Sequence, residues 1–310
     1  MQAAYYRTHI VFDSMVSFRI SRLLLALILT LSATSVTRGE ESCSSARSDS
    51  GRPTFLANGE VHSLDEESFK ASPNVDGVMI ADVPGGESVQ LRYVQAFLSV
   101  DEVAQAIGYC DGRSGWTVSR QTVDGDGSAT RASRTSSSCP LIWPIVYLPR
   151  LEALRESGRL TADLEGEIMF AWKIMQRVSD MLEVDVAKIE PLQLIRYEPG
   201  QMYKQHHDHG SYYGANSEQR PSTFLLYLSS MPQEDGGGYT KFNELDIAVL
   251  PREGDGIIWS NVDKDGNVLN DALHEAVPPN NEGGVRKYAM NVWIAENPIM
   301  DNIDTASYRT

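Results

Sequence analysis

Beyond Pro191 the chain reads Leu192-Gln193-Leu194-Ile195-Arg196-Tyr197, Phe224-Leu225-Leu226-Tyr227-Leu228, Ile247-Ala248-Val249-Leu250, Ile257-Ile258-Trp259 and Tyr288-Ala289-Met290-Asn291-Val292-Trp293-Ile294. These are short apolar runs separated by turn residues, chiefly Gly and Pro, and many short strands so punctuated point to a β-sandwich or barrel. Working outward, Leu164, Ile168, Trp172, Met175, Val178 and Leu182 follow one another in steps of three or four, which predicts an amphipathic helix from Thr161 to Leu182. Ser99 with Glu102 three residues on predicts a capped helix start, and the segment from Gly112 to Ser138, with Asp124-Gly125-Asp126-Gly127, reads as a long surface excursion.

The folded domain is expected over 92–298, with helical support in 92–190 and a β core in 190–298. Residues 40–91 are polar and punctuated by Ser44-Ser45 and Pro84-Gly85-Gly86, so a partly disordered spacer is expected there, with a short strand near Val78-Met79-Ile80. Residues 299–310 are expected as a tail.

At the amino terminus, Arg19 and Arg22 precede Leu23-Leu24-Leu25-Ala26-Leu27-Ile28-Leu29-Thr30-Leu31, and Ser32, Ala33 and Ser35 follow. That order of charged, apolar and small residues predicts a signal segment over 1–39, cleaved or retained as an anchor, with a buried core helix as the plain alternative. The chain would then enter the secretory pathway, with the endoplasmic reticulum lumen as the expected location. Cys43, Cys110 and Cys139 follow this segment. One disulfide is possible in an oxidising lumen, and Cys110 with Cys139 is the favoured pair because both fall inside the folded region; free buried thiols are the alternative. A net charge of -15 over 310 residues, with no basic block beyond the amino terminus, sets a nucleic-acid partner aside. Membrane contact is expected only through an amino-terminal anchor.

Four of the six histidines, His206, His207, His209 and His274, sit in the β-rich half. Alternate side chains of an extended segment share a face, so His206 and Asp208 point together while His207 and His209 point away. With His274 from a later strand, two imidazoles and one carboxylate form a facial triad, which suits iron(II) because coordination positions stay open. Zinc is disfavoured, since no His-Glu-x-x-His run and no paired cysteine spacing is present.

The segment Arg196-Tyr197-Glu198-Pro199-Gly200-Gln201-Met202-Tyr203-Lys204-Gln205-His206-His207-Asp208 resembles the first metal motif of prolyl 4-hydroxylases. The likeness continues through Arg220-Pro221-Ser222-Thr223, Gly236-Gly237-Gly238-Tyr239-Thr240-Lys241-Phe242, Pro251-Arg252-Glu253-Gly254-Asp255-Gly256, Leu273-His274-Glu275-Ala276-Val277-Pro278 and Lys287-Tyr288. It implies a mostly β fold with supporting helices, a double-stranded β-helix or jelly roll, and an Fe(II)- and 2-oxoglutarate-dependent dioxygenase using O2 and helped by L-ascorbate. By this resemblance His206, Asp208 and His274 hold Fe(2+), and Lys287 pairs with the distal carboxylate of 2-oxoglutarate. Tyr227, Thr223 and Tyr197 stand near that cosubstrate, while Tyr203, Trp293 and Arg134 stand near a proline-containing peptide or protein substrate. The physics of Lys287 agrees, because an ammonium at the start of an apolar strand is costly to bury without an anion.

The chain departs from the family where it has Lys287-Tyr288 for Lys-Trp, Tyr239-Thr240 for Glu-Thr and His274-Glu275-Ala276-Val277-Pro278 for His-Ala-Gly-Cys-Pro, with a looser turn at Pro279-Asn280. These changes bear on the peptide. Other readings of the same residues are a dioxygenase acting on another residue or a small molecule, a non-catalytic jelly-roll binding module, and a metal-dependent hydrolase.

Overall fold

From Gln193 onward the chain crosses repeatedly between two antiparallel sheets, and that path defines the fold. The computed structural model describes residues 52–119, 133–210, 219–233, 237–280 and 284–299. The strands before Gln193 are β1 (Thr54–Ala57), β2 (Glu60–Ser63), β3 (Lys70–Ala71), β4 (Met79–Asp82), β5 (Arg92–Gln95), β6 (Thr117–Val118) and β7 (Ser137–Pro140). Those after it are β8 (Gln193–Tyr197), β9 (Tyr203–His206), β10 (Ser222–Tyr227), β11 (Thr240–Phe242), β12 (Ile247–Val249), β13 (Gly256–Ser260), β14 (His274–Ala276) and β15 (Lys287–Ile294).

One sheet has the order β2-β1-β12-β11-β14-β9, the other β3-β4-β5-β13-β10-β15-β8-β7-β6. Strands β8, β10, β13 and β15 thus occupy the centre of the larger sheet, and β9, β11, β12 and β14 make up most of the smaller one. Two facing four-stranded layers joined by repeated crossings are a double-stranded β-helix. The central strands of the larger sheet are buried on both faces, which is why they read as nearly unbroken apolar runs.

On the outer face, Phe224, Leu226, Met290, Val292 and Ile294 join a core with Ile174, Met175 and Val178. The last three lie on helix α2 (Ala162–Leu182), whose N-cap Thr161 accepts from Leu164 N at 3.2 Å. Helix α1 (Val100–Gly112) starts with a full capping box between Ser99 and Glu102. Its Cys110 is disulfide-bonded to Cys139 of β7, tying helix to sheet edge. On the inner face, Leu225, Tyr227, Phe242, Ile247, Val249 and Trp259 form a second core between the sheets.

The described part of the expected spacer, residues 52–91, is instead folded into both sheets. Strand β1 pairs with β12, Phe55 opposite Val249, and β4 pairs with β5, Ile80 opposite Val94. Phe55, Ala81, Val83, Val89 and Leu91 join the inter-sheet core. The folded region therefore includes residues before Arg92. Among the described residues no helix is long and apolar enough to cross a membrane. The expected signal segment, Cys43, Asp124-Gly125-Asp126-Gly127 and residues 300–310 lie outside the described residues.

Candidate metal centre and cosubstrate pocket

Strand β14 runs antiparallel to β9 with His274 directly opposite His206, so the two rings meet with centroids 4.3 Å apart. The Nδ1 atom of His206 lies 2.8 Å from Lys204 O, and that of His274 lies 2.9 Å from Ala272 O. A carbonyl only accepts, so each Nδ1 carries a hydrogen, and Nε2 is the atom each ring has left for a metal. Burial, with the adjacent His274 ring, lowers His206 to about 3, which keeps that imidazole neutral.

Asp208 lies two residues past the end of β9, so it reaches the imidazoles from the segment that follows and not from the strand itself. It is held there by two donors on one oxygen: Thr223 Oγ1 donates to Oδ2 at 3.0 Å and Trp293 Nε1 donates to Oδ2 at 2.9 Å. Burial alone would raise this carboxyl, but His274, His206, Arg220 and the Trp293 N–H bring it down to about 2. Potential ligand atoms of His206, Asp208 and His274 all lie within 4.8 Å of one another. Two imidazoles held by their Nδ1 hydrogens and one ionised carboxylate fit a divalent metal, and that donor set suits iron(II).

A cavity of about 650 Å³ runs from this group to Lys287 and Thr240. Lys287 opens β15 opposite Tyr197 of β8 and is 1% exposed. Its Nζ donates to Tyr239 O and Thr240 Oγ1, each at 3.3 Å, and lies 5.8 Å from the centre of the Tyr197 ring. Burial pulls this ammonium down to about 7. No carboxylate among the described residues pairs with it, and a buried ammonium with neutral partners alone is one that an incoming anion would stabilise.

Thr240 is supplied by β11, whose lead-in passes close to the turn after β14. A Cβ at Gly237 would stand 2.7 Å from Pro278 O, so only glycine permits that approach.

The other expected residues divide into two groups. Tyr203 stacks on the His206 ring at 3.5 Å between centroids, and the Arg134 guanidinium lies 4.6 Å from the Tyr203 centroid; both line the cavity. Tyr197 also lines it, its hydroxyl pushed up to about 12 by burial. Tyr227, by contrast, is fully buried behind Thr240, donating to Thr240 Oγ1 at 3.2 Å, with its hydroxyl raised by burial.

Thr223, expected beside the cosubstrate, donates to the Asp208 carboxylate. It and Tyr227 share one face of β10 but are four residues apart, about 13 Å along a strand, so a small anion cannot meet both at one end. Trp293, expected against substrate, has its indole N–H committed to Asp208, although the ring still lines the cavity. His207 and His209 line the cavity too, outside the ligand group.

Sequence reading did not single out Thr240, Arg220, Glu190 or Asn261. One signal was available: Glu190 is an isolated carboxylate in the run Ile189-Glu190-Pro191-Leu192, and such a residue demands a partner.

Residues 192–295 match the family model described as the 2OG-Fe(II) oxygenase superfamily. The chain is 35% identical over 103 residues to the probable prolyl 4-hydroxylase 9 of Arabidopsis thaliana, a match covering 29% of this chain and 36% of that protein. It is 32% identical over 149 residues to prolyl 4-hydroxylase subunit alpha-2 of Caenorhabditis elegans, covering 46% of this chain and 26% of that one. The chain thus spans little more than a third, or less, of these curated relatives. Among solved structures, the viral collagen prolyl hydroxylase of Paramecium Bursaria Chlorella virus-1, in its 2OG complex, aligns with a TM-score of 0.45 and 22% identity, over 66% of this chain and 95% of that one. Over residues 192–295, which assemble the histidine and aspartate cluster, the chain is thus similar to the 2OG-Fe(II) oxygenase superfamily, and its matched segments resemble those of prolyl 4-hydroxylases.

Proposed function

We propose that this chain is an Fe(II)- and 2-oxoglutarate-dependent dioxygenase that 4-hydroxylates peptidyl proline in proteins of the secretory pathway. The observation that carries the reading is one cavity holding both the His206, Asp208 and His274 group and the buried Lys287 ammonium, which no carboxylate among the described residues pairs. Iron(II), when bound, supplies the activation of dioxygen and the oxidative decarboxylation of 2-oxoglutarate to succinate and carbon dioxide. Everything else is positioning by the protein.

Lys287 and Thr240 receive the distal carboxylate of 2-oxoglutarate, and Tyr227 keeps the Thr240 hydroxyl oriented from behind. Tyr203 braces the His206 ring and, with Arg134, forms one wall; Trp293 stands on another. An extended, proline-containing segment in the polyproline II form fits between such aromatic walls, burying the prolyl ring while its backbone stays free for edge contacts. The relatives' own designation as prolyl 4-hydroxylases supports proline as the residue modified. Ascorbate serves as the reductant that keeps the iron ferrous. The Cys110–Cys139 disulfide supports passage through an oxidising lumen, with the amino-terminal apolar run acting as cleaved signal or as anchor.

The test is 2-oxoglutarate turnover by the purified protein with a library of proline-rich peptides. We expect succinate together with a gain of one oxygen in mass on proline, both lost in His206→Ala. Succinate with no peptide modified would refute the proline substrate; no succinate under any condition would refute the enzyme itself.

A further inference from the structure

Oxygen Oδ2 of Asp208 receives two hydrogen bonds, and both arms that deliver them lead back to one residue. In the first arm, the Arg220 guanidinium lies over the Trp293 ring, 4.2 Å from its centre, and Trp293 Nε1 donates to Oδ2. In the second, Arg220 O accepts from Asn261 Nδ2 at 3.1 Å, and the same Nδ2 donates at 2.9 Å to Thr223 Oγ1, which donates to Oδ2. The Asn261 carboxamide is fixed in turn by Trp259 Nε1, which donates to its Oδ1 at 2.9 Å, and the Trp259 ring packs edge-on against His274.

Arg220 itself is locked. Its Nε and Nη2 each donate to a different oxygen of Glu190 at 2.7 Å, and Glu190 is fully buried. Glu190 N also donates to Trp293 O at 3.0 Å, so the clamp is stitched to the backbone of the residue it orients. A bidentate ion pair at this depth carries a desolvation cost that apolar packing would avoid, so it is weak as a stability device and strong as an orienting one.

We propose that Arg220, clamped by Glu190, is a positioning residue for the metal carboxylate: through Trp293 and Asn261 it commits Asp208 Oδ2 to two donors and leaves Oδ1 as the single oxygen offered to the metal. Both oxygens are within reach of the imidazoles, Oδ1 lying 3.7 Å from His206 Nε2 and Oδ2 lying 3.8 Å from His274 Nε2. Distance alone therefore does not choose between them. The two donors do, because an oxygen already accepting twice has little lone-pair capacity left for a cation. A carboxylate held to one-oxygen ligation keeps open the coordination positions that a chelating cosubstrate and dioxygen require. The inference rests on the metal site of the reading above and is independent of the peptide substrate.

The test measures metal binding with no turnover: calorimetric titration of the metal-free full chain with Co(II) and Mn(II), and the visible absorption of the Co(II) form. Arg220→Gln and Glu190→Gln are expected to weaken metal binding about 10-fold or more, the usual scale for groups that orient a ligand, and to change the Co(II) spectrum as Asp208 turns. Trp293→Phe keeps an aromatic ring and removes the N–H donor, so it should show the same spectral change without loss of the ion pair. If the ion-pair variants do not fold, Trp293→Phe decides: wild-type affinity and spectrum would overturn the proposal, and a shifted spectrum with weaker binding would uphold it. Folded ion-pair variants with wild-type metal binding, and only a raised KM for peptide, would also overturn it by making Arg220 a substrate contact. Failure of the unaltered protein to bind metal would overturn the metal site itself, an outcome distinct from equality between variant and wild type.

Discussion

The ammonium of Lys287 and the hydroxyl of Thr240 lie 3.3 Å apart with no carboxylate of the described residues beside them, so a buried cation is left with neutral partners alone. Burial lowers Lys287 from 10.5 to about 7. Between those values the unfolded chain binds the proton and the ligand-free fold does not, so stability rises with pH across that window and the penalty is fully present below about 7. Ligand-free Lys287→Met should accordingly melt above wild type at pH 6.5, the difference fading towards pH 10. An arriving carboxylate restores the charge, so 2-oxoglutarate binding at pH 8 should take up a proton, seen as calorimetric heats that vary with the ionisation enthalpy of the buffer. Buffer-independent heats would count against an ammonium that recharges on binding.

Thr240 accepts from both Tyr227 and Lys287 at the same oxygen. Replacing it by Val keeps the shape and leaves a buried phenol without an acceptor, a cost of roughly 1–3 kcal/mol. Thr240→Val should raise the KM for 2-oxoglutarate about tenfold, leave metal affinity unchanged and lower the melting temperature; Thr240→Ser should behave as wild type. Equal KM values for the Val and Ser variants would remove Thr240 from the cosubstrate site.

The Cys110–Cys139 bond joins residues 29 apart in sequence and ties α1 to β7, whose Ser138 and Pro140 line the cavity. Closing a loop of that length is worth about 3–4 kcal/mol in the chain-entropy account. Cys110→Ala with Cys139→Ala should therefore melt well below wild type and lose peptide affinity before 2-oxoglutarate affinity, since Lys287 and Thr240 sit on other strands. A thermal midpoint that does not respond to reductant would show that the bond does not form in solution.

The cluster of His206, Asp208 and His274 was legible because histidine is scarce in this chain and its chemistry survives removal from context, and the strands because the larger sheet is covered on both faces. Hydroxyl groups carry less signal: Thr240 and Thr223 look alike in sequence, and only the pairing of Thr223 with Trp293 and of Tyr227 with Ala289 shows which end of β10 each serves. Arg220 and Glu190 were opaque for a similar reason, since their meaning lies in one ion pair between distant segments. Residues 54–57 and 60–63 escaped detection because each strand is four residues long and β2 buries none of them. Apart from Phe55, what holds β1 is backbone pairing to β12, and backbone hydrogen bonds leave no mark on side-chain pattern.

That hidden contribution predicts the outcome of a truncation. A fragment beginning at residue 92 deletes Phe55, Val83, Val89 and Leu91, each no more than 5% exposed, from the core between the sheets. At about 1.5–3 kcal/mol for each large apolar side chain removed from water, the loss is comparable to the whole stability of an ordinary domain. It also uncovers the edges of β12 and β5, with Val249 and Val94 losing their paired neighbours, and bare sheet edges recruit other chains. The fragment 92–298 should therefore be insoluble or aggregated on expression, whereas 52–298 should be soluble and melt cooperatively, as size-exclusion chromatography and circular dichroism would record. A monomeric 92–298 fragment with the thermal midpoint of 52–298 would show that the strands before Arg92 are ornament to the β-helix and not part of its core.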